Sequence, residues 1–335
     1  MNKLTQRFEH IARIMLYVCA ALLPLWFVPG PIGIEFGREV TFSILVAIAI
    51  IAYLLKVLVS GEIRVEKSLI WYAALLLFLV SAVSTFFSKA PLLSLFFGDS
   101  SAEKLSTLVL GLALMGIAGS VLRTYKEAGA ALLIFLFSAG MSAVAMGVQL
   151  LFGVSLFSWM TSSAVGIDFN SVGTINGLAL FYSASMIMAL SLMLSPLFKE
   201  WQRWVQYGIY ASLGFFFIDL LLINFRTAWI ALFGVGIFLL GFMFVRTRAM
   251  RSEVQGFFIK DWRYWPLIGL LVVSAIFMVV RTPVFGGLEV LPEVSPAFST
   301  TWHIARSVWA EGTVSFLFGS GPSTFQLEWA RFRDP

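Results

Sequence analysis

Phe215-Phe-Phe-Ile-Asp-Leu-Leu-Leu-Ile-Asn-Phe-Arg-Thr-Ala-Trp-Ile-Ala-Leu-Phe-Gly234 is the stretch that decides the fold class. It joins two apolar runs, Val205–Ile223 and Thr227–Val245, through Asn224, Phe225 and Arg226 alone. Each run is close to the roughly 20 residues that carry a helix through a bilayer core of about 30 Å. Neither alternates with a period of two, as a membrane β-strand would. The stretch therefore reads as a tight hairpin of two membrane-spanning helices.

The rest of the chain repeats the pattern. Of its 335 residues, 59% are hydrophobic and 12% charged, with a mean hydropathy of +0.91. An ordinary soluble domain carries about 45–50% apolar and about 25% charged residues, so a soluble enzyme is excluded, as is a disordered chain. Seven more spans are read at Ile11–Val28, Thr41–Val59, Ser68–Phe87, Leu105–Leu122, Gly129–Phe152, Ile175–Leu197 and Tyr264–Val280. The expectation is an all-α polytopic membrane protein of about nine transmembrane helices over residues 1–280, followed by an outer segment over 281–335. Lys3 and Arg7 precede the first run, but it holds Pro24 and no small-residue cleavage site, so it is read as a retained helix rather than a signal peptide.

Charge sets the orientation. Fifteen of the 23 basic residues fall on one side of this nine-span arrangement, in the N-terminal segment and in the loops after the second, fourth, sixth and eighth spans. Basic loops stay in the cytoplasm, which predicts a cytoplasmic N-terminus and an external segment after Arg281. Because the net charge of +5 is spread along the chain, no nucleic-acid partner is expected. Cys19, the single cysteine, lies in an apolar run and is read as packing.

Three features could carry chemistry. Arg226 stands between two spans with almost no loop around it; it either snorkels to the headgroups or faces a cavity or anion. Asp219, seven residues earlier and on the same helical face, finds its partner in Arg226 or stays neutral. Ser299–Glu311 reads as an amphipathic helix lying on the outer surface, capped by Ser or Thr near its N-terminus. Its Trp302, Ala305 and Trp309 form an interfacial stripe, with His303 and Arg306 on a neighbouring face. Phe318-Gly-Ser-Gly-Pro-Ser-Thr-Phe325 is either a plain turn or a nest whose amides hold phosphate.

In this order and sidedness, these features resemble the O-antigen ligase and polymerase superfamily. Arg226-Thr-Ala-Trp229 is similar to the family's Ser-Arg-Thr-Ala turn, and Phe318–Phe325 to its Gly-x-Gly-Pro-Gly-x-Phe loop, with Thr301-Trp-His-Ile-Ala305 leading into it. Val172-Gly-Thr-Ile-Asn176 resembles the start of the family's sixth helix. Phe87-Ser-Lys-Ala-Pro91 with Ser94-Leu-Phe-Phe-Gly98 resembles its outer loop after the third. The chain departs from the family in carrying Lys104 where Arg is common, Trp302 and His303 where a second Arg is common, and no histidine after Phe325. The end at Pro335 is read as a C-terminal truncation.

The resemblance implies transfer or polymerisation of a glycan from an undecaprenyl-diphosphate carrier to a periplasmic glycan, lipid or protein acceptor, in the bacterial inner membrane. It implies no cofactor. Growing charge on the leaving diphosphate calls for cations, which assigns Arg226 and Arg306 to catalysis and Lys104 and Arg281 to substrate binding, with His303 as a candidate acceptor base. Gly319, Ser320 and Gly321 are the expected phosphate loop, while Asp168 and Asn170 are expected to hydrogen-bond sugar. The acidic pairs Glu35 with Glu39 and Asp99 with Glu103 each have a cation beside them, Arg38 and Lys104, so ion pairing is expected rather than a metal site. The competing readings are a transporter or flippase without chemistry and a structural or regulatory membrane subunit.

Overall fold

The computed structural model describes residues 3–26, 34–62, 68–97, 104–154, 156, 169–250, 264–280 and 298–332. The readings made on Asp99, Glu103, Asp168 and Arg281, and on the side chain of Glu35, lie outside the described residues.

Regular structure among the described residues is entirely helical. The helices are α1 (Lys3–Leu22), α2 (Ile34–Ser60), α3 (Leu69–Phe86), α4 (Leu105–Val121), α5 (Tyr125–Phe152), α6 (Ile175–Leu194) and the one-turn α7 (Leu197–Glu200). They continue as α8 (Arg203–Ile223), α9 (Arg226–Met250), α10 (Trp265–Val279), α11 (Phe298–Trp309), α12 (Thr313–Phe318) and α13 (Phe325–Phe332). A π-turn occupies Leu93–Phe97.

Six of these helices (α2, α3, α5, α6, α8 and α9) are long and apolar enough to cross a membrane. The chain is a multi-pass α-helical membrane protein. The helices α4 and α10 are apolar but shorter, with 17 and 15 residues, about 26 and 23 Å at 1.5 Å per residue. The first helix, α1, is not one of the six, and its bounds differ from those of the expected first span, Ile11–Val28. The helix starts at Lys3 and ends at Leu22, because Pro24 disfavours a helical residue before it and the chain turns over residues 23–25.

Local chemistry sets several of the ends. Thr124 and Glu127 form a capping box at the start of α5, and Thr174 accepts from the Gly177 amide at 3.0 Å to start α6. Asn224, at φ 44°, takes the left-handed conformation that ends α8.

The helices group into two units. One comprises Met1–Cys19, Glu35–Arg123 and Val294–Pro335; the other comprises Ala20–Ile34 and Thr124–Glu293. In the second, α5 and α6 pack on α8, α6 on α9, and α9 on α10. Leu136, Met146, Tyr182, Phe216 and Trp229 lie in its core. Small residues bring the backbones close, as in membrane bundles generally: Gly140 faces Ser212, and Gly147 faces the Asp219 carboxylate.

In the first unit, α1, α2 and α4 close around Ala12, Leu16, Ala49, Ala52 and Ile117. Beside this apolar cluster the buried Glu9 pairs with Arg13 at 3.5 Å, Lys56 at 3.6 Å and Arg123. At the opposite ends of α2 and α4, Lys104 pairs with Glu39 at 2.8 Å.

Candidate functional site

Two segments far apart in the chain meet in the first unit. Where α3 ends, Ser88 donates its amide to the Thr85 carbonyl at 3.2 Å, and its hydroxyl accepts from the Ala90 amide at 3.1 Å. The same hydroxyl lies 3.0 Å from that of Ser94. Against this serine pair stands Gly321, at φ +112°, so close that a Cβ there would collide with both side chains. Ser84 donates to the Phe318 carbonyl at 2.6 Å, and the rings of Phe87 and Phe318 stack with centroids 5.7 Å apart. The loop after α3 and the glycine turn thus form one structure.

The turn is organised from within. Gly319, at φ 71°, closes α12 with its amide committed to the Ser315 carbonyl at 3.0 Å, so that amide is not free for an anion. Thr324 donates to the Gly321 carbonyl at 2.6 Å and lies 2.9 Å from the Ser320 hydroxyl. α13 follows directly.

Four charges frame this joint. Lys89 pairs with Glu311 and, at 3.3 Å, with Glu328. Arg331 pairs with Glu311 and approaches Glu328 at 3.7 Å. The hydrogen bond from Lys89, helped by the two positive charges, holds the Glu311 carboxyl below its ordinary range. Behind the turn lies a cavity of about 480 Å³ whose lining includes Ser84, Ile304, Trp309, Ser323 and Glu328.

The remaining expected site residues are placed as follows. On α11, Ile304 and Val308 face inward, whereas Trp302, His303, Arg306 and Trp309 are exposed. Neither Arg306 nor His303 has a side-chain partner among the described residues. The Lys104 ammonium is buried against Glu39. The Asn170 side chain is buried and spends its groups on the loop before α6, accepting from the amides of Val172 and Gly173 and donating to the Gly173 carbonyl.

In the second unit Arg226 opens α9 and is exposed, with no carboxylate partner among the described residues. Of the two readings of Asp219, the pairing with Arg226 does not form among the described residues. A seven-residue spacing shares a face only within one continuous helix, and Asn224 breaks this one. The Asn224 Oδ1 instead accepts from Trp229 Nε1 at 3.1 Å, and Trp229 stacks on Phe277 with centroids 4.9 Å apart. Asp219 is buried near Gly147, and its Oδ2 has no hydrogen-bond partner.

Comparison of the chain with protein-family models, with curated proteins and with solved structures yields no match. The sequence reading missed Lys89, Glu311, Glu328 and Arg331 as a group. Its available signal was the i, i+3 pair Glu328 and Arg331 on a short amphipathic helix; the contacts from Lys89 cross more than 200 positions and leave no local trace.

Proposed function

We propose that this protein is a metal-independent glycosyltransferase of the O-antigen ligase and polymerase type, in the inner membrane of a bacterium. An acceptor hydroxyl, giving up its proton to a base for which exposed His303 is the candidate, attacks the anomeric carbon of a glycan carried on undecaprenyl diphosphate. The bond from that carbon to the phosphate oxygen breaks, and the lipid diphosphate leaves with its added negative charge. The observation that carries this reading is the meeting of Gly321 with Ser88 and Ser94. The outer loop and the glycine turn on which the family resemblance rests are distant in sequence, and a common site requires them together. Arg306 and Arg226 support it as exposed guanidinium groups without carboxylate partners among the described residues, available to an anion. Lys104 is a weaker candidate, since Glu39 already neutralises it.

The test is transfer in proteoliposomes from an undecaprenyl-diphosphate-linked oligosaccharide to an added glycan or lipid acceptor. Transfer is expected to persist within about twofold in EDTA. Strict dependence on one divalent ion would overturn the metal-independent mechanism, and failure to consume any such donor would overturn the transfer reading.

The nine-span arrangement with a cytoplasmic N-terminus belongs to the same proposal. It draws support from the first unit, where Glu9, Arg13, Lys56 and Arg123 gather at one end of the helices and Lys104 with Glu39 at the other. In a Cys19→Ala background, an impermeant thiol reagent added from outside is expected to label Ser299→Cys and to spare Gln202→Cys. Equal labelling of both would end the nine-span topology.

A second reading, transport without chemistry, is favoured by one observation. Asp219 is a buried carboxylate within a membrane helix with an unpartnered oxygen, a type of residue that often marks an ion or proton path. Uptake or flipping that depends on Asp219, in a protein that consumes no donor, would favour it.

A further inference from the structure

The cavity behind the glycine turn is lined by two buried oxygens that lack a hydrogen bond, one of them in a long ion pair. Glu328 is 4% exposed. Its Oε1 is engaged by Lys89 at 3.3 Å, while its Oε2 has no hydrogen-bond partner, Arg331 standing too far away at 3.7 Å. Ser323 is held at φ 57°, in the left-handed region that strains a non-glycine residue, and its buried Oγ also lacks a hydrogen bond. Both residues line the same space. Buried polar atoms are nearly always hydrogen-bonded, and two orphans on one cavity wall mark a place where a ligand completes the bonding.

The lining narrows the chemistry of that ligand. Glu328 repels an anion, and the adjacent Lys89 and Arg331 repel a cation. A carboxylate oxygen accepts and a serine hydroxyl does either, so the ligand must donate at least one hydrogen bond. Ile304, Trp309 and Phe318 provide an apolar wall. The volume of about 480 Å³ is within the roughly 300–1,000 Å³ of small-molecule sites. We infer that this cavity is a subsite for one neutral sugar ring, whose hydroxyls bond Glu328 and Ser323 and whose C–H face lies on the apolar wall. The inference rests on the glycan-transfer reading for its biological meaning and deepens it by placing a sugar, not a phosphate, behind the turn.

The experiment reads binding without transfer. The purified chain in nanodiscs is mixed with the methyl glycosides of glucose, galactose, mannose and N-acetylglucosamine, and bound ligand is followed by saturation-transfer NMR with titration. At least one glycoside is expected to bind, and Glu328→Gln to weaken it about tenfold or more. Because Glu328→Gln also disturbs the ion pairs, Ser323→Gly is the second variant. It leaves every charge in place and relieves the left-handed strain, so it is expected to raise the Tm while lowering affinity at least threefold. Binding of none of the four, or unchanged affinity in both variants, would overturn the subsite. A chain that binds glycoside through these residues yet transfers nothing would keep the subsite and sink the transferase reading. Normal transfer with no glycoside binding would do the reverse.

Discussion

On the proposed function, alanine in place of Arg226 is expected to abolish glycan transfer and to leave a folded, inserted protein. The two halves of this expectation have separate grounds. Arg226 is exposed and pairs with no carboxylate among the described residues; surface changes of that kind move stability by about 0.5 kcal/mol or less, or roughly 1–2 °C in Tm for a chain of this size. Its insertion cost, at least about 2.5 kcal/mol on translocon scales if it meets lipid, is best explained where an anion offsets it. Charge grows on the departing diphosphate, and losing one preorganised donor at such a charge costs about 10²–10³ in kcat. Arg226→Lys should recover little, since a compact ammonium cannot reproduce the planar two-pronged contact. Asp219→Asn should leave the arginine's effect untouched, because Asn224 and the helix break separate the two. Normal transfer kinetics in Arg226→Ala, at wild-type Tm, would remove the residue from the site.

Gly321→Ala is expected to be the most damaging small substitution in the first unit. At φ +112° any L side chain is strained, by about 1–3 kcal/mol. The new methyl also meets Ser88 and, at 2.8 Å, the Ser94 hydroxyl, and overpacking of this kind adds about 1–3 kcal/mol. The sum, roughly 2–6 kcal/mol, corresponds to a fall of about 4–24 °C in Tm. Ser88→Gly should return the part of the steric share that Ser88 causes and leave the Ser94 contact and the backbone share, so the double mutant should be non-additive by about 1 kcal/mol or more. A Gly321→Ala protein as stable as wild type would show that the turn does not sit against the serine pair.

The six long apolar helices were legible because length and apolarity alone reveal them; the stretch Phe215–Gly234 holds the end of α8, the start of α9 and their joint. Helix ends were legible where a local cap sets them, as at Thr174, and misread where a neighbour in sequence intervenes, as with Pro24 in the first span. The site was less legible. Periodicity placed Asp219 and Arg226 on one face, and a single left-handed residue cancelled it. Helical spacing gave the surface stripe of α11, whose Trp302 and Trp309 are exposed, but left its packed face, Ile304 and Val308, unread. The orphan oxygens of Ser323 and Glu328 have no sequence signature, since an unmet hydrogen bond exists only in the folded chain.

Glu9 has a meaning for how the protein is made. Its partner Arg123 is encoded 114 residues later, and at about 5–20 residues per second of synthesis that separation is on the order of ten seconds. During that interval the newborn first helix has Arg13 of its own and, once α2 is complete, Lys56. The anchoring set closes only when the end of α4 leaves the ribosome. The charge pairing of the first helix is therefore complete only once the end of α4 has been made, and Glu9 is the residue through which the two ends of that interval are joined.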